Sequence, residues 1–156
     1  MDASEALSRI TASHQVFLDA LSSLTEADIT ILKVEGVWTA KDLVGHLTAW
    51  ELTLLEPLRS YIAGGAFEPG EIPDHDAWNL VQSSRRNAWS ISEVRQEMET
   101  VRQLLLNELH RLSAEQWQTV FLAPWGGSET LAEMVSGLAW HEEEHTKSIL
   151  KITQRI

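Results

Sequence analysis

The sequence predicts an all-α protein, a four-helix bundle with short extra helices in the connections. Three observations carry this. Four long stretches repeat apolar residues at three- and four-residue spacing, the mark of a helix with one buried face. Hydroxyl and acidic residues stand three apart where several of these stretches begin, the pattern of a capping box. No run alternates with period two for long enough to read as a strand.

The first helix is expected over 4–23, with Ser4 as N-cap and Leu7, Ile10, His14, Phe17, Leu18 and Leu21 on one stripe. Ser22-Ser23 and Thr25-Glu26-Ala27-Asp28 break it, with room for one short helical turn. Residues 29–38 hold Ile29, Ile31, Leu32, Val34 and Val37 around Gly36. Nothing nearby repeats that pattern as a partner, so the segment is read as a connector. The second helix opens at Thr39-Ala40-Lys41-Asp42, close to a capping box, with Trp38 placed as a hydrophobic staple. Leu43, His46, Leu47, Trp50, Leu54 and Leu58 follow at helical spacing. Pro57 removes a backbone donor, so a kink or an end is expected near Leu55.

Residues 64–74 form a loop rich in glycine and proline, and Asp74-His75-Asp76 then opens a shorter helix carrying Trp78, Leu80 and Val81. Ser90-Ile91-Ser92-Glu93 is another capping box, starting a long helix with Val94, Met98, Val101, Leu104, Leu105, Leu109 and Leu112 inward. Ser113 caps a brief turn through Trp117, and Pro124-Trp125-Gly126-Gly127 is a loop. Thr130-Leu131-Ala132-Glu133 caps the last helix, which runs to about Ile152 with Leu131, Met134, Val135, Leu138, Ile149 and Ile152 on its stripe.

The 156 residues suit one domain, 1–156, with one core. A formal net charge of −11 should repel polyanions, so nucleic acid is not an expected partner. The absence of cysteine removes disulfides, thiolate metal sites and a cysteine nucleophile together. No apolar run approaches the roughly 20 residues that cross a bilayer, and the acidic start is no signal peptide. These features place the expected protein in the cytoplasm, without a membrane partner.

The chemistry centres on His141-Glu142-Glu143-Glu144-His145. Histidines four apart on a helix share a face, and this pair lies on or beside the apolar stripe, so both rings should point inward. Six histidines can produce such a pair by chance, so a third ligand decides its meaning. The string also satisfies H-E-x-x-H, the zinc-protease pattern. The third ligand of those enzymes lies downstream, yet Thr146 to Ile156 hold no His, Asp or Glu, and the extended pattern would put its third histidine at Lys151. The third ligand must therefore come from upstream. His46, within the stripe of the second helix, is the best candidate, and His14 is a rival or a core residue. His75 and His110 read as exposed. Glu142 is a weak candidate for a catalytic base, or a partner that orients His145. Trp50, Trp78 and Trp140 are weak candidates for a substrate pocket, set against simple packing of the bundle. Arg85-Arg86 would meet an anionic substrate or lie solvated, and Glu142 to Glu144 read as a solvated face.

The stretch Trp38-Thr39-Ala40-Lys41-Asp42-Leu43-Val44-Gly45-His46-Leu47-Thr48-Ala49-Trp50-Glu51 resembles the second-helix signature of the DinB/YfiT-like superfamily. So does Leu138-Ala139-Trp140-His141-Glu142-Glu143-Glu144-His145, and Asp76-Ala77-Trp78-Asn79 is in the same style. The resemblance implies a four-helix bundle of up-down-down-up topology. It implies a divalent metal, often zinc or nickel, on three histidines, here His46, His141 and His145. Relatives of this kind include transferases and isomerases using low-molecular-weight thiols, and hydrolytic toxin-resistance proteins, and a homodimer is in keeping with the family. The expected function is a metal-dependent enzyme that activates a small thiol or water against a small electrophilic substrate. The alternative is a bundle that binds or sequesters a small molecule, with a structural metal or none.

Overall fold

The computed structural model describes residues 1–156. Its helices are α1 (Ala3–Ser22), α2 (Glu26–Ile31), α3 (Ala40–Ile62), α4 (His75–Arg86), α5 (Ile91–Leu109), α6 (Ala114–Gln118) and α7 (Leu131–Thr153). Two short antiparallel hairpins join them: β1 (Lys33–Glu35) with β2 (Trp38–Thr39), and β3 (Val120–Leu122) with β4 (Ser128–Thr130). The protein is all-α in its architecture, and no helix is long and apolar enough to cross a membrane.

Capping chemistry sets most of the helix starts. Thr39, Ser90, Ser113 and Thr130 each accept a bond from the backbone three residues on, and the side chain at that position returns one to the cap. The first helix begins at Asp2 and not at Ser4. Asp2 and Glu5 exchange two such bonds at 2.8 and 2.9 Å, which outweighs a single serine hydroxyl.

Three local expectations need correction. Residues 29–38 are not a plain connector: α2 ends at Ile31, and Lys33–Glu35 pairs with Trp38–Thr39 across a turn at Gly36, whose φ is +57°. The partner strand is two residues long and lies inside the cap of the next helix, so no alternation betrays it. The loop at Pro124 is likewise the tip of a hairpin, with Gly126 and Gly127 at φ +95° and +86° and Phe121 paired to Glu129. Of the kink or end expected near Leu55, the end does not occur: α3 continues through Pro57 to Ile62. Buried Leu54, Leu55 and Leu58 hold the turns on both sides of the missing donor.

The four long helices are α1, α3, α5 and α7. Early α1 (Ala6, Ile10) packs with late α3 (Leu54, Leu58), late α5 (Leu105, Leu109) and early α7 (Leu131, Met134). Late α1 (Phe17, Leu21) packs with early α3 (Leu43, Val44), early α5 (Val94, Met98) and late α7 (Ile149). Thus α1 and α7 run parallel to each other and antiparallel to α3 and α5, the up-down-down-up arrangement.

The apolar core is therefore two clusters, and what lies between them is charged. Every long helix contributes to this layer: Ser13 and His14 from α1, Glu51 from α3, Arg102 from α5 and Glu142 from α7. Arg102 donates from Nε to Glu51 Oε1 at 2.9 Å, from Nη2 to both Glu51 Oε1 and, at 3.1 Å, Glu142 Oε2, and from Nη1 to the Ile10 carbonyl at 3.1 Å. Glu142 also accepts from Ser13 Oγ at 2.7 Å and from His14 Nδ1 at 3.0 Å. The three charged side chains Glu51, Arg102 and Glu142 are 6, 5 and 2% exposed, so this ion network is fully desolvated.

Candidate metal centre

Three imidazoles meet at one side of the bundle. His46 comes from α3, and His141 and His145, one turn apart, come from α7. His46 Nε2 lies 2.9 Å from His141 Nε2, which lies 3.0 Å from His145 Nε2, and all the ligating atoms fall within 4.8 Å of one another. Two nitrogens each about 2.0–2.1 Å from one ion lie no more than ~4.2 Å apart, a limit both close pairs satisfy. The ring orientations fit as well. His145 Nδ1–H donates to Glu35 Oε1 at 3.0 Å, which leaves the Nε2 lone pair facing the other two rings. Ser148 Oγ donates to the same Glu35 oxygen at 2.6 Å and fixes that carboxylate. Trp38 stands edge-on to His46 with ring centroids 4.8 Å apart.

The electrostatics keep two of these rings, His46 and His141, neutral. Burial, followed by the neighbouring His141 and His145, lowers the pKa of His46 to about 2. Burial and His145 lower His141 to about 4, against the opposing pull of Glu35 and Glu142. Neutral imidazoles are the form that binds a metal, so His46 and His141 suit a divalent ion without first losing protons.

The trio opens onto a cleft of about 960 Å³. Trp38, Trp50, Trp125 and Trp140 line it, with His75, Asn79 and Glu129 among their neighbours. Trp50 is buried, and its ring is 6.4 Å from those of both Trp125 and His141; its Nε1–H donates to Asn79 Oδ1 at 2.9 Å. Trp140 sits at the rim, 55% exposed. Trp78 packs against Trp50 with the rings tilted by 49° and their centroids 4.5 Å apart, but is not part of the lining, so it supports the wall from behind.

Several expected site residues lie elsewhere. His14 is no rival ligand: both its ring nitrogens face carboxylates, Glu142 at 3.0 Å and Glu99 at 3.0 Å. Burial opposes the charge on this ring and so does Arg102, but the bonds to Glu142 and Glu99 prevail and raise its pKa. Glu142 does not reach the imidazole trio, nor does it orient His145 or face solvent. Its two oxygens are taken by Ser13, His14 and Arg102 in the core, and despite burial those partners hold its pKa low. The acidic run is thus not one solvated face, since Glu142 is buried and Glu143 pairs with Arg9 at 2.8 Å. Arg86 is buried and bonded to Glu97 at 2.7 and 3.1 Å, so it does not meet a substrate in the cleft. His110 is exposed and bonds the Leu106 carbonyl through Nδ1. His75 is exposed as expected, yet its ring is 5.3 Å from Trp50 and it lines the cleft.

The residues that sequence reasoning did not single out are Glu35, Trp38, Trp125 and Glu129. Glu35 and Trp38 are cross-strand partners in the first hairpin, and Trp125 and Glu129 come from the second. Trp38 was visible only as a staple, and nothing local marked the other three.

A family model for the DinB superfamily matches residues 9–149. A protein of Oceanobacillus iheyensis, named as a candidate metal-dependent hydrolase, is 23% identical over 150 residues, covering 95% of this chain and 83% of that one. Among solved structures, the mycothiol-dependent maleylpyruvate isomerase superposes with a TM-score of 0.81 at 14% identity. This chain, 96% covered, spans 61% of the isomerase's length. The colibactin self-resistance protein ClbS, solved in complex with a dsDNA, superposes with a TM-score of 0.79 at 15% identity over 99% of this chain and 96% of its own. That structure overturns the exclusion of nucleic acid drawn above from net charge. A formal charge sums the whole surface and does not decide what one face of this fold accepts.

Proposed function

The chain belongs to the DinB superfamily, and from that premise we propose that it is a metal-dependent hydrolase of small electrophilic substrates. The observation that carries this reading is the convergence of three Nε2 atoms, from two helices, at the wall of an open tryptophan-lined cleft. Structural zinc sites are closed by four protein ligands, whereas three ligands beside a cleft leave positions free for substrate. His46, His141 and His145 would hold the ion, zinc and nickel being among the metals that suit an all-imidazole set. A divalent ion there supplies Lewis acidity, lowering the pKa of a water or small thiol and polarising a carbonyl.

The chain's own residues do the rest. Glu35 holds the tautomer of His145, and Ser148 holds Glu35. Trp38 and Trp50 close the sides of the trio and exclude water from its protein face. With no cysteine in the chain, a thiol nucleophile would have to be a diffusible one. Water is the simpler nucleophile, and the name of the Oceanobacillus relative agrees with it.

The test is elemental analysis of tag-free protein together with turnover of an ester and amide panel, with and without added thiol. The expected result is about one equivalent of zinc or nickel, lost along with hydrolysis in His46→Ala. Metal at 100 times its Kd adds about 2.7 kcal/mol to stability, so the variant should also melt lower. A metal-free wild type whose melting ignores added zinc and nickel overturns the reading.

A further inference from the structure

We infer that the substrate accepted by this cleft carries an organic cation, a protonated or alkylated amine. The inference rests on the cleft being the substrate site proposed above, and it deepens that reading by charge. Three acidic residues line the cleft, Glu35, Asp76 and Glu129, and no lysine or arginine does. None of the three pairs with a lysine or arginine anywhere in the structure. Glu35 accepts from His145 and Ser148, and Asp76 and Glu129 have no ion pair. Glu129 is the least compensated. Its Oε1 accepts one long bond from Trp125 Nε1–H, 3.3 Å, and its Oε2 is buried with no hydrogen-bond partner. A carboxylate enclosed in this way exerts its field across a low-dielectric wall, where little water screens it.

A dication held by the three histidines would not reverse the sign. Three carboxylates against two positive charges still leave one negative charge, enough to favour a monocation. The walls suit the same ligand. Indole is the best of the aromatic faces for a cation, and Trp38, Trp125 and Trp140 all keep exposed surface around the buried Trp50. An anionic substrate would meet repulsion here and no guanidinium or ammonium to offset it.

The experiment measures tryptophan fluorescence on addition of four one-ring probes: benzyltrimethylammonium, benzylamine, benzyl alcohol and benzoate. Benzyltrimethylammonium has no lone pair and cannot bind a metal, so it reads the cleft alone. It should bind at least about tenfold tighter than benzyl alcohol, with benzoate weakest. Glu129→Gln, whose amide oxygen can still accept from Trp125, should cut the cation's advantage several-fold and leave benzyl alcohol unchanged. The preference should persist in His46→Ala. Its persistence without hydrolysis or metal would separate failure of the hydrolase reading from failure of this one. Equal binding of the four probes, tighter binding of benzoate, or a preference untouched by Glu129→Gln overturns the inference.

Discussion

Replacing Arg102 by methionine should damage the fold more than any other single change in the polar layer. Methionine fills much of the same volume but leaves Glu51 buried with no cation and Glu142 with His14 alone. Removing one partner of a buried ion pair typically costs about 3–5 kcal/mol, because the remaining charge has lost its compensation. No discount for solvent applies, since Arg102 is 5% exposed and its two carboxylate partners are 6 and 2%. At roughly 2–4 °C per kcal/mol for a chain of this size, the melting temperature should fall by roughly 6–20 °C. The loss should also depend on pH. Burial already pushes Glu51 up in the wild type, although Arg102 opposes it. Without Arg102, Glu51 loses the group that opposes its burial and would sit further above its unfolded value, while Glu142 keeps His14 and Ser13. The native state then binds more protons than the unfolded state, and stability falls as pH rises. The deficit should therefore shrink between pH 7.5 and pH 5.5. Urea unfolding followed by far-ultraviolet circular dichroism measures it at each pH. Adding Glu51→Gln and Glu142→Gln to Arg102→Met should recover most of the loss. A deficit below about 1 kcal/mol, flat with pH, would refute the view that this layer is desolvated.

Other outcomes follow from the same geometry. The raised pKa of His14 contributes stability that is fully present below the unfolded value of about 6.5 and is lost as pH rises through the folded value. His14→Gln should flatten the urea midpoint across that window, and an unchanged slope would show that Glu142 and Glu99 do not hold the imidazolium; Arg102 faces the same ring and limits the effect. Glu35→Gln keeps an acceptor for His145 but loses its charge, so competition with a zinc chelator should show metal affinity about 10–100-fold weaker. A Cβ added at Gly45 would lie 2.7 Å from Arg86 Cδ, and the Glu97 pair pins that side chain. Gly45→Ala should cost about 1–3 kcal/mol in denaturant unfolding, and a neutral result would mean that Arg86 swings away freely.

What the sequence made legible was local or repeated. Thr39, Ser90 and Thr130 announce their helices because a capping box occupies four consecutive residues. The i, i+4 pair of His141 and His145 and the inward position of His46 needed only helical periodicity to be placed on facing stripes. The hairpins were illegible because strands of two or three residues cannot show alternation. With them went Glu35 and Glu129, which reach the cleft only through strand pairing. The polar layer was illegible for another reason. Glu51 and Glu142 meet at Arg102 across 51 and 40 positions of chain, and Ser13 bonds Glu142 across 129. Each residue alone looks like a polar interruption of an apolar stripe. Only the parallel pairing of α1 with α7 and of α3 with α5 turns four interruptions into one network.

That network and the candidate metal centre share their helices in a fixed phase. Neighbouring residues on a helix point about 100° apart. On α7, His141 and His145 face the cleft while Glu142 and Thr146, each one residue on, are buried in the bundle. On α3, His46 and Trp50 face the cleft while Leu47 and Glu51 are buried behind them. Rotating either helix to relieve the buried charges would carry its imidazoles off their common point. Arg102, which reaches both Glu51 and Glu142, therefore fixes the relative rotation of α3 and α7 from inside the core. A buried ion network adds little net stability over well-packed apolar residues. Its use in this fold is positional, since a site that must bring three rings within about 0.5 Å of a working geometry needs rigid elements and a supporting layer behind them.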